Sequence, residues 1–233
     1  MQFIVGTSGY SYKEWKGSFY PEKLPAKDML GYYAERFSTV EINNSFYRMP
    51  KPEVLQAWAA QVSQGFEFVL KAPQSITHYK RLKDAEAPTD DLLDAAAALG
   101  KRQGPLLVQL HPNMKKDVAR LDAFLNHVGG RAKTAFEFRH ESWLDDDVLD
   151  SLRAHKSVLC TADADDLPTA SLARTADWGY VRLRRPRYTK KQLGNWIDRI
   201  KQQDWRKAYV FFKHEDTATG PRFATRFLEL VNA

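Results

Sequence analysis

The sequence predicts an α/β fold: a single TIM-like (β/α) barrel of parallel strands with surrounding helices. Three observations carry this. Short apolar runs alternate with longer amphipathic ones along the whole chain, the pattern of parallel βαβ units. Eight such units close into a barrel. The first strand is followed by Gly6-Thr7-Ser8-Gly9-Tyr10-Ser11-Tyr12, which matches neither GxGxxG nor a P-loop. That disfavours an open doubly wound sheet, which usually carries a Gly-rich phosphate loop there.

The strand candidates are Gln2–Gly6, Thr39–Ile42, Glu67–Lys71, Leu106–His111, Thr134–Arg139, Ser157–Ala162, Tyr180–Arg184 and Ala208–Lys213. Between them lie helix candidates. Lys27–Phe37 has apolar residues at helical spacing. Pro52–Val62 opens on Pro, which suits a first helical turn. Asp90–Gly100 is rich in Ala and Leu and ends on Gly, a frequent helix stop. Asp117–Val128, Asp145–Ala154, Thr189–Gln202 and Gly220–Val231 complete the set. Asp163–Ala176 contains Pro168 and no long helical pattern, so a loop or short helix is expected there. Residues 1–233 read as one domain, because no Pro/Gly/Ser linker, repeat or low-complexity tract divides them.

Composition narrows the class. A chain of 233 residues can bury a large core without staples. The single Cys160 excludes an intrachain disulfide and sits in an apolar run, as a small buried hydrophobe does. Met1 leads straight into Phe3-Ile4-Val5, so no secretory leader is expected. No stretch reaches the ~18 apolar residues of a membrane span. The expected setting is therefore cytoplasmic, without a membrane partner. The formal charge of +6 permits an anionic partner, either a phosphorylated metabolite or nucleic acid.

Side chains alternate between the two faces of a strand. In Leu106–His111, Leu106, Val108 and Leu110 share an apolar face; Leu107, Gln109 and His111 share the other. The apolar face should pack on helices, and the other should enter the barrel and turn polar at its C-terminal end. The same pattern sets Glu41 and Asn43 against Val40 and Ile42, and Lys71 against Leu70. It also sets Glu137 and Arg139 against Phe136 and Phe138, and Thr161 and Asp163 against Cys160 and Ala162. Arg182 and Arg184 oppose Val181 and Leu183, and Lys213 opposes Phe212. Ionisable groups would thus ring the end where barrel enzymes place their chemistry. The competing reading is a set of structural ion pairs, Glu137 with Arg182 for example, since a buried charge needs a partner.

Five segments carry a resemblance to a known family: GTSGYSYKEWKGSFYP (Gly6–Pro21), FSTVEINNSFYRMP (Phe37–Pro50), FEFVLKAPQSITHYKRL (Phe66–Leu82), PLLVQLHP (Pro105–Pro112) and AFEFRHESW (Ala135–Trp143). In order and length they resemble the YecE-like proteins, domain of unknown function number 72, over essentially the whole chain. The resemblance implies a β/α barrel and a shared pocket at these motifs, with no settled reaction. Two segments depart from it. Arg182-Leu183-Arg184-Arg185 stands where many members resemble RLHG, and Phe211-Phe212-Lys213-His214-Glu215 replaces an FNN-type end. Both departures add positive charge.

The candidate chemistry follows from residue types. Glu41 and Glu137 could act as acid and base, opening hydrolase, lyase or isomerase chemistry; each could equally hold a neighbouring cation. Lys71 could form a Schiff base, bind an anion or pair with Glu41. His111, Glu137, Asp163, His140 and His214 could be metal ligands, but no HExxH or Cys–His spacing is present and nearby cations oppose a bare divalent ion. Neither metal nor cofactor is expected. Arg139, Arg182, Arg184 and Lys213 suit an anion, with Gln109, His111, Asn43, Thr7, Ser8 and Asp163 orienting it. Tyr10, Tyr12, Trp15, Phe19, Tyr20, Phe46 and Tyr47, with Trp143 after strand five, could stack on a sugar or base, or simply plug the barrel mouth. Gly9 and Gly17 would allow tight turns in the first loop. The basic run from Arg182 to Lys191 follows strand seven, where barrel loops often hold phosphate; for Arg187, Lys190 and Lys191 the plain alternative is a solvated face.

The leading expectation is an enzyme acting on a small anionic substrate resembling a phosphorylated sugar or nucleotide. Glu41 and Glu137 would handle protons, with Lys71 beside them. The alternatives are a nucleic-acid-binding or processing protein and a non-catalytic ligand-binding barrel. Oligomeric state is left open.

Overall fold

The structure, a computed structural model, describes residues 1–165, 171–214 and 216–233. Eight strands form one closed barrel in sequence order: β1 (Gln2–Ser8), β2 (Thr39–Ile42), β3 (Glu67–Lys71), β4 (Gln103–Gln109), β5 (Thr134–Glu137), β6 (Val158–Asp163), β7 (Trp178–Leu183) and β8 (Lys207–Phe212). All pairings are parallel. Closure runs from Gln2 against Lys207 to Thr7 against Phe212.

The helices do not follow one per strand, and this corrects the TIM-like expectation. After β1 comes the short α1 (Met29–Ala34); after β2 come two helices, α2 (Asn44–Tyr47) and α3 (Pro52–Ala59). Next are α4 (Glu86–Ala97), α5 (Val118–Val128) and α6 (Asp146–Ala154), following β3, β4 and β5. The connection from β6 to β7 contains no α-helix among its described residues; Pro168 and part of that expected loop lie outside them. Then α7 (Lys190–Lys201) and α8 (Thr219–Val231) follow β7 and β8. The fold is a closed, all-parallel, eight-stranded barrel surrounded by helices, without the (β/α)8 repeat. Part of the reason is local. After β6 the chain returns along that strand, with Thr161 Oγ1 donating to Ser171 O at 3.3 Å and Thr175 Oγ1 to Ser157 O at 2.7 Å.

The helix boundaries have chemical causes. Pro52 opens α3. Asp117 caps α5 by accepting from the Arg120 amide at 3.0 Å, and Gly129 ends it at φ 58°. Thr189 and Gln192 form a reciprocal capping box on α7. β4 starts earlier than expected because Gly104 and Pro105 both lie within it. Gly104 comes so close to β3 that a Cβ there would sit 2.9 Å from Phe68 O.

Two apolar cores result. The larger lies between barrel and helices and includes Val40, Phe68, Leu106, Phe136 and Val210. The smaller fills the barrel interior with Ile4, Val69, Leu107, Val158, Tyr209 and Phe211. The N-terminal end is closed by Glu67, which accepts from Lys207 Nζ at 2.7 Å and from Tyr209 OH at 2.5 Å.

Candidate functional site

Above the apolar interior the strands carry a connected polar network. Glu41 on β2 accepts from Ser8 Oγ on β1 and Tyr180 OH on β7, both at 2.6 Å, and from Arg182 Nη2 at 2.7 Å. Arg182 Nη1 reaches across to Glu137 on β5. Glu137 also meets Arg139 Nη2 at 2.5 Å and accepts from Gln109 Nε2 at 2.7 Å. One guanidinium thus bridges two carboxylates, and Glu41, Glu137 and Arg182 are each at most 1% exposed. Burial pushes the Glu137 carboxyl up, but Arg182 and Arg139 pull it down further, to about 2. A group held ionised this firmly is poorly suited to serve as a general acid near neutral pH.

Lys71 lies one layer higher, at the end of β3. Its Nζ donates to Gln109 Oε1 at 2.9 Å and stands 4.0 Å from the centroid of the Phe46 ring. Among the described residues no carboxylate lies within ion-pair distance of it. Burial, then the charges of Arg182 and Lys213 against those of Glu41 and Glu137, lower its pKa to about 8. Arg184 Nη1 is 4.0 Å from Glu137 Oε1. His78 sits on a π-helical turn, Ser75–Tyr79, after β3. Its ring meets His111 at 5.3 Å and Phe46 at 4.9 Å. Burial, with His111, Lys71 and Arg139 adding to it, lowers the His78 pKa to about 4, so the ring is neutral at pH 7. Several donor atoms here, Arg139 Nε, Arg182 Nε and Asn43 Nδ2 among them, are buried without a hydrogen-bond partner among the described residues.

The other expected site residues divide. His111 is half-buried and accepts the Asn113 amide on Nδ1 at 3.0 Å. Asn43 and Tyr10 line a side cavity of about 260 Å³ together with Tyr12 and Trp58. Tyr47 is 73% exposed. Thr7 faces outward, where its hydroxyl and amide both meet Tyr33 OH, so only Ser8 of that pair enters the barrel. Trp15 and Trp143 are buried packing residues rather than walls of the mouth. Trp15 packs on Tyr12 and Tyr20, while Trp143 stacks on Phe138 at 4.6 Å and donates to Met114 O at 2.6 Å.

Strand six corrects the parity reading. Val158 and Cys160 face the interior, with Cys160 Sγ 3.9 Å from Glu137 Oε2. Asp163 accordingly faces out, accepting from Arg185 Nε at 2.6 Å, Tyr188 OH at 3.0 Å and Trp196 Nε1 at 3.2 Å. The interior is apolar at that level, so an apolar face did not identify the helix side. Cys160 is held as a thiol by burial, with the nearby Glu137 charge adding to that effect. Of the suggested metal ligands, His214 bonds to Arg185 O at 2.6 Å, and no group of three or more His, Cys, Asp or Glu among the described residues could hold a metal ion. Glu215 lies outside the described residues.

Sequence reading missed Tyr180 and His78, and placed Phe46 only among the aromatics of the first loops. Tyr180 was within reach, since it lies two residues before Arg182 on the same face. Phe46 comes from the short α2 and His78 from a π-helical turn, where strand alternation says nothing.

The family model described as "Protein of unknown function DUF72" matches residues 4–233. The chain belongs to this family. The DUF72 chain is 31% identical over 109 residues to UPF0759 protein YecE of Escherichia coli K12, covering 46% of this chain and 40% of that protein. The match thus spans less than half of that relative's length. UPF0759 protein YunF of Bacillus subtilis strain 168 is 21% identical over 268 residues, 98% of this chain and 94% of that protein. Among solved structures, a DUF72 family protein of Thermotoga maritima superposes with a TM-score of 0.85 at 24% identity, with both chains fully covered. Another from Enterococcus faecalis gives 0.82 at 17%, covering all of this chain and 96% of that one. At these identities the likeness is one of fold. No helix among the described residues is long and apolar enough to cross a membrane.

Proposed function

We propose that the barrel mouth binds a small anionic substrate and that Lys71 is the reactive group of an enzyme site there. The observation that carries this is the setting of Lys71. Its ammonium is largely withdrawn from water, yet its nearest partners are a neutral amide oxygen and an aromatic ring. Such a charge is costly without a counter-ion, and an incoming carboxylate or phosphate would supply one. Arg139 presents a buried, unpartnered Nε to the same region, and Arg184 and Lys213 add positive potential. Within this reading Glu41 and Glu137 are the frame that fixes Arg182, Arg139 and Gln109, while Lys71 handles the proton. Calorimetric titration with sulfate and phosphate tests it. Wild type should bind, and Lys71→Met and Arg139→Leu should each weaken binding about tenfold or more, the scale of one charge-assisted hydrogen bond. Equal affinity in all three proteins would refute it.

One observation favours a second reading. Tyr47 and Tyr79, on the loops after β2 and β3, are 73% and 74% exposed, near exposed Arg48 and Arg81. Exposed aromatics among cations suit stacking on single-stranded nucleic acid. That reading requires affinity to fall steeply with salt and to drop in Tyr47→Ala; a flat salt response would remove it.

A further inference from the structure

We propose that Lys71 is a covalent nucleophile whose Nζ condenses with a small anion bearing an aldehyde or ketone, forming a protonated imine at the barrel mouth. This rests on the anion-binding reading above and names the substrate class of the same site. The geometry separates Lys71 from an ordinary buried lysine. Lys207, at the opposite end of the barrel, is tied to the Glu67 carboxylate at 2.7 Å. Lys71 instead donates to Gln109 Oε1 at 2.9 Å. That amide cannot turn over, because its Nε2 already donates to Glu137, which Arg139 and Arg182 hold in place. An amide oxygen accepts from a neutral amine as well as, more strongly, from an ammonium, so it positions the nitrogen in both states and holds the charge less firmly than a carboxylate would. Phe46 covers one side and limits water. Burial and the nearby Arg182 and Lys213 favour the neutral amine, with a pKa of about 8. The cations that would hold the anion would also set its carbonyl carbon against Nζ.

The step balances without a further reactant. The Nζ lone pair attacks the carbonyl carbon and the C=O π pair moves to oxygen. One proton passes from nitrogen to that oxygen, and a second, the one the ammonium first released to solvent, protonates the resulting hydroxyl; the C–O bond then breaks as water leaves, and the nitrogen lone pair forms C=N. Overall, ammonium and carbonyl give iminium and one water with no change in charge.

The test is reductive trapping at pH 7.5. The whole protein is incubated with glyoxylate or glycolaldehyde phosphate, and with neutral glycolaldehyde as control. It is then reduced with sodium cyanoborohydride and mapped by peptide mass spectrometry. An amine with a pKa of about 8 is neutral there roughly two hundred times more often than one at 10.5. Early labelling should therefore favour Lys71 over exposed lysines by about a hundredfold with the anionic probes, and by less with the neutral one. Lys71→Arg should lose this adduct while still binding sulfate. If labelling spreads over surface lysines with no excess at Lys71 while sulfate still binds, the nucleophile proposal falls and the anion site stands. Absence of both sulfate binding and the Lys71 adduct overturns both.

Discussion

Replacing Arg182 by Met would leave two carboxylates inside the barrel with the cation between them removed. Glu137 would keep Arg139 at 2.5 Å and Gln109 at 2.7 Å. Glu41 would keep only the hydroxyls of Ser8 and Tyr180, each at 2.6 Å, among its described hydrogen-bond partners. Breaking a buried ion pair from one side costs about 3–5 kcal/mol, because the remaining charge is uncompensated. Linkage sets the scale for all the cations around Glu137 together, Arg139 included. The Glu137 pKa lies at about 2 in the folded barrel against an ordinary 4.5, which is on the order of 3 kcal/mol. The sign is that of a depressed carboxylate. The stabilisation is fully present above about pH 4.5 and is lost as pH falls towards 2. Arg182→Met should therefore unfold roughly 6–20 °C lower at pH 7, measured by circular dichroism. The gap to wild type should narrow between pH 5 and pH 3, as protonation relieves the orphaned carboxylates. The triple variant Glu41→Gln/Arg182→Met/Glu137→Gln should regain much of the loss, since a neutral network needs no counter-charge. A loss under about 1 kcal/mol, unchanged by pH, would refute the view that these three groups form one buried unit.

Three further outcomes follow from the geometry. Gly6→Ala would place a Cβ 2.2 Å from the backbone oxygen of Thr39, so β2 must shift. Urea unfolding should register about 1–3 kcal/mol of destabilisation, and an unchanged midpoint would contradict the β1–β2 spacing. Trp143→Ala should cost about 3–5 kcal/mol in the same assay yet leave sulfate affinity as it was; lost binding in a folded variant would return Trp143 to the mouth. Asp163→Asn should loosen the contacts with Arg185 and Trp196 and likewise spare sulfate binding, a result that inward-facing Asp163 would not give.

How much of this was legible in the sequence differs by element. Alternation placed Glu41, Lys71, Gln109, Glu137 and Arg182 on the interior face, because each follows or precedes a strand residue that packs on helices. It failed on β6, where Val158, Cys160 and Ala162 form an apolar set that suits the interior as well as the helix layer. It could not reveal that Arg182 occupies both carboxylates at once, since that depends on β2, β5 and β7 meeting across the barrel. The break in the alternation of strand and helix after β6 was expected, since Asp163–Ala176 carries no long helical pattern, but the bonds back to Ser157 and Thr161 that accompany it were not. Such side-chain-to-backbone bonds leave no periodic trace. Aromatic residues in the first loops read equally as ligand walls or as packing. Only burial separated Trp15 and Trp143 from Phe46, which stands over Lys71.

On the proposed function Lys71 contributes its charge to an anion site and titrates near pH 8. Sulfate keeps a constant charge from pH 6 to 9, so its affinity reports the protein alone. Calorimetry across that range should show wild-type affinity falling as pH rises through about 8, while Lys71→Arg, always charged, holds its affinity throughout. No sulfate binding by the wild type, or the same pH profile for both proteins, would contradict the account.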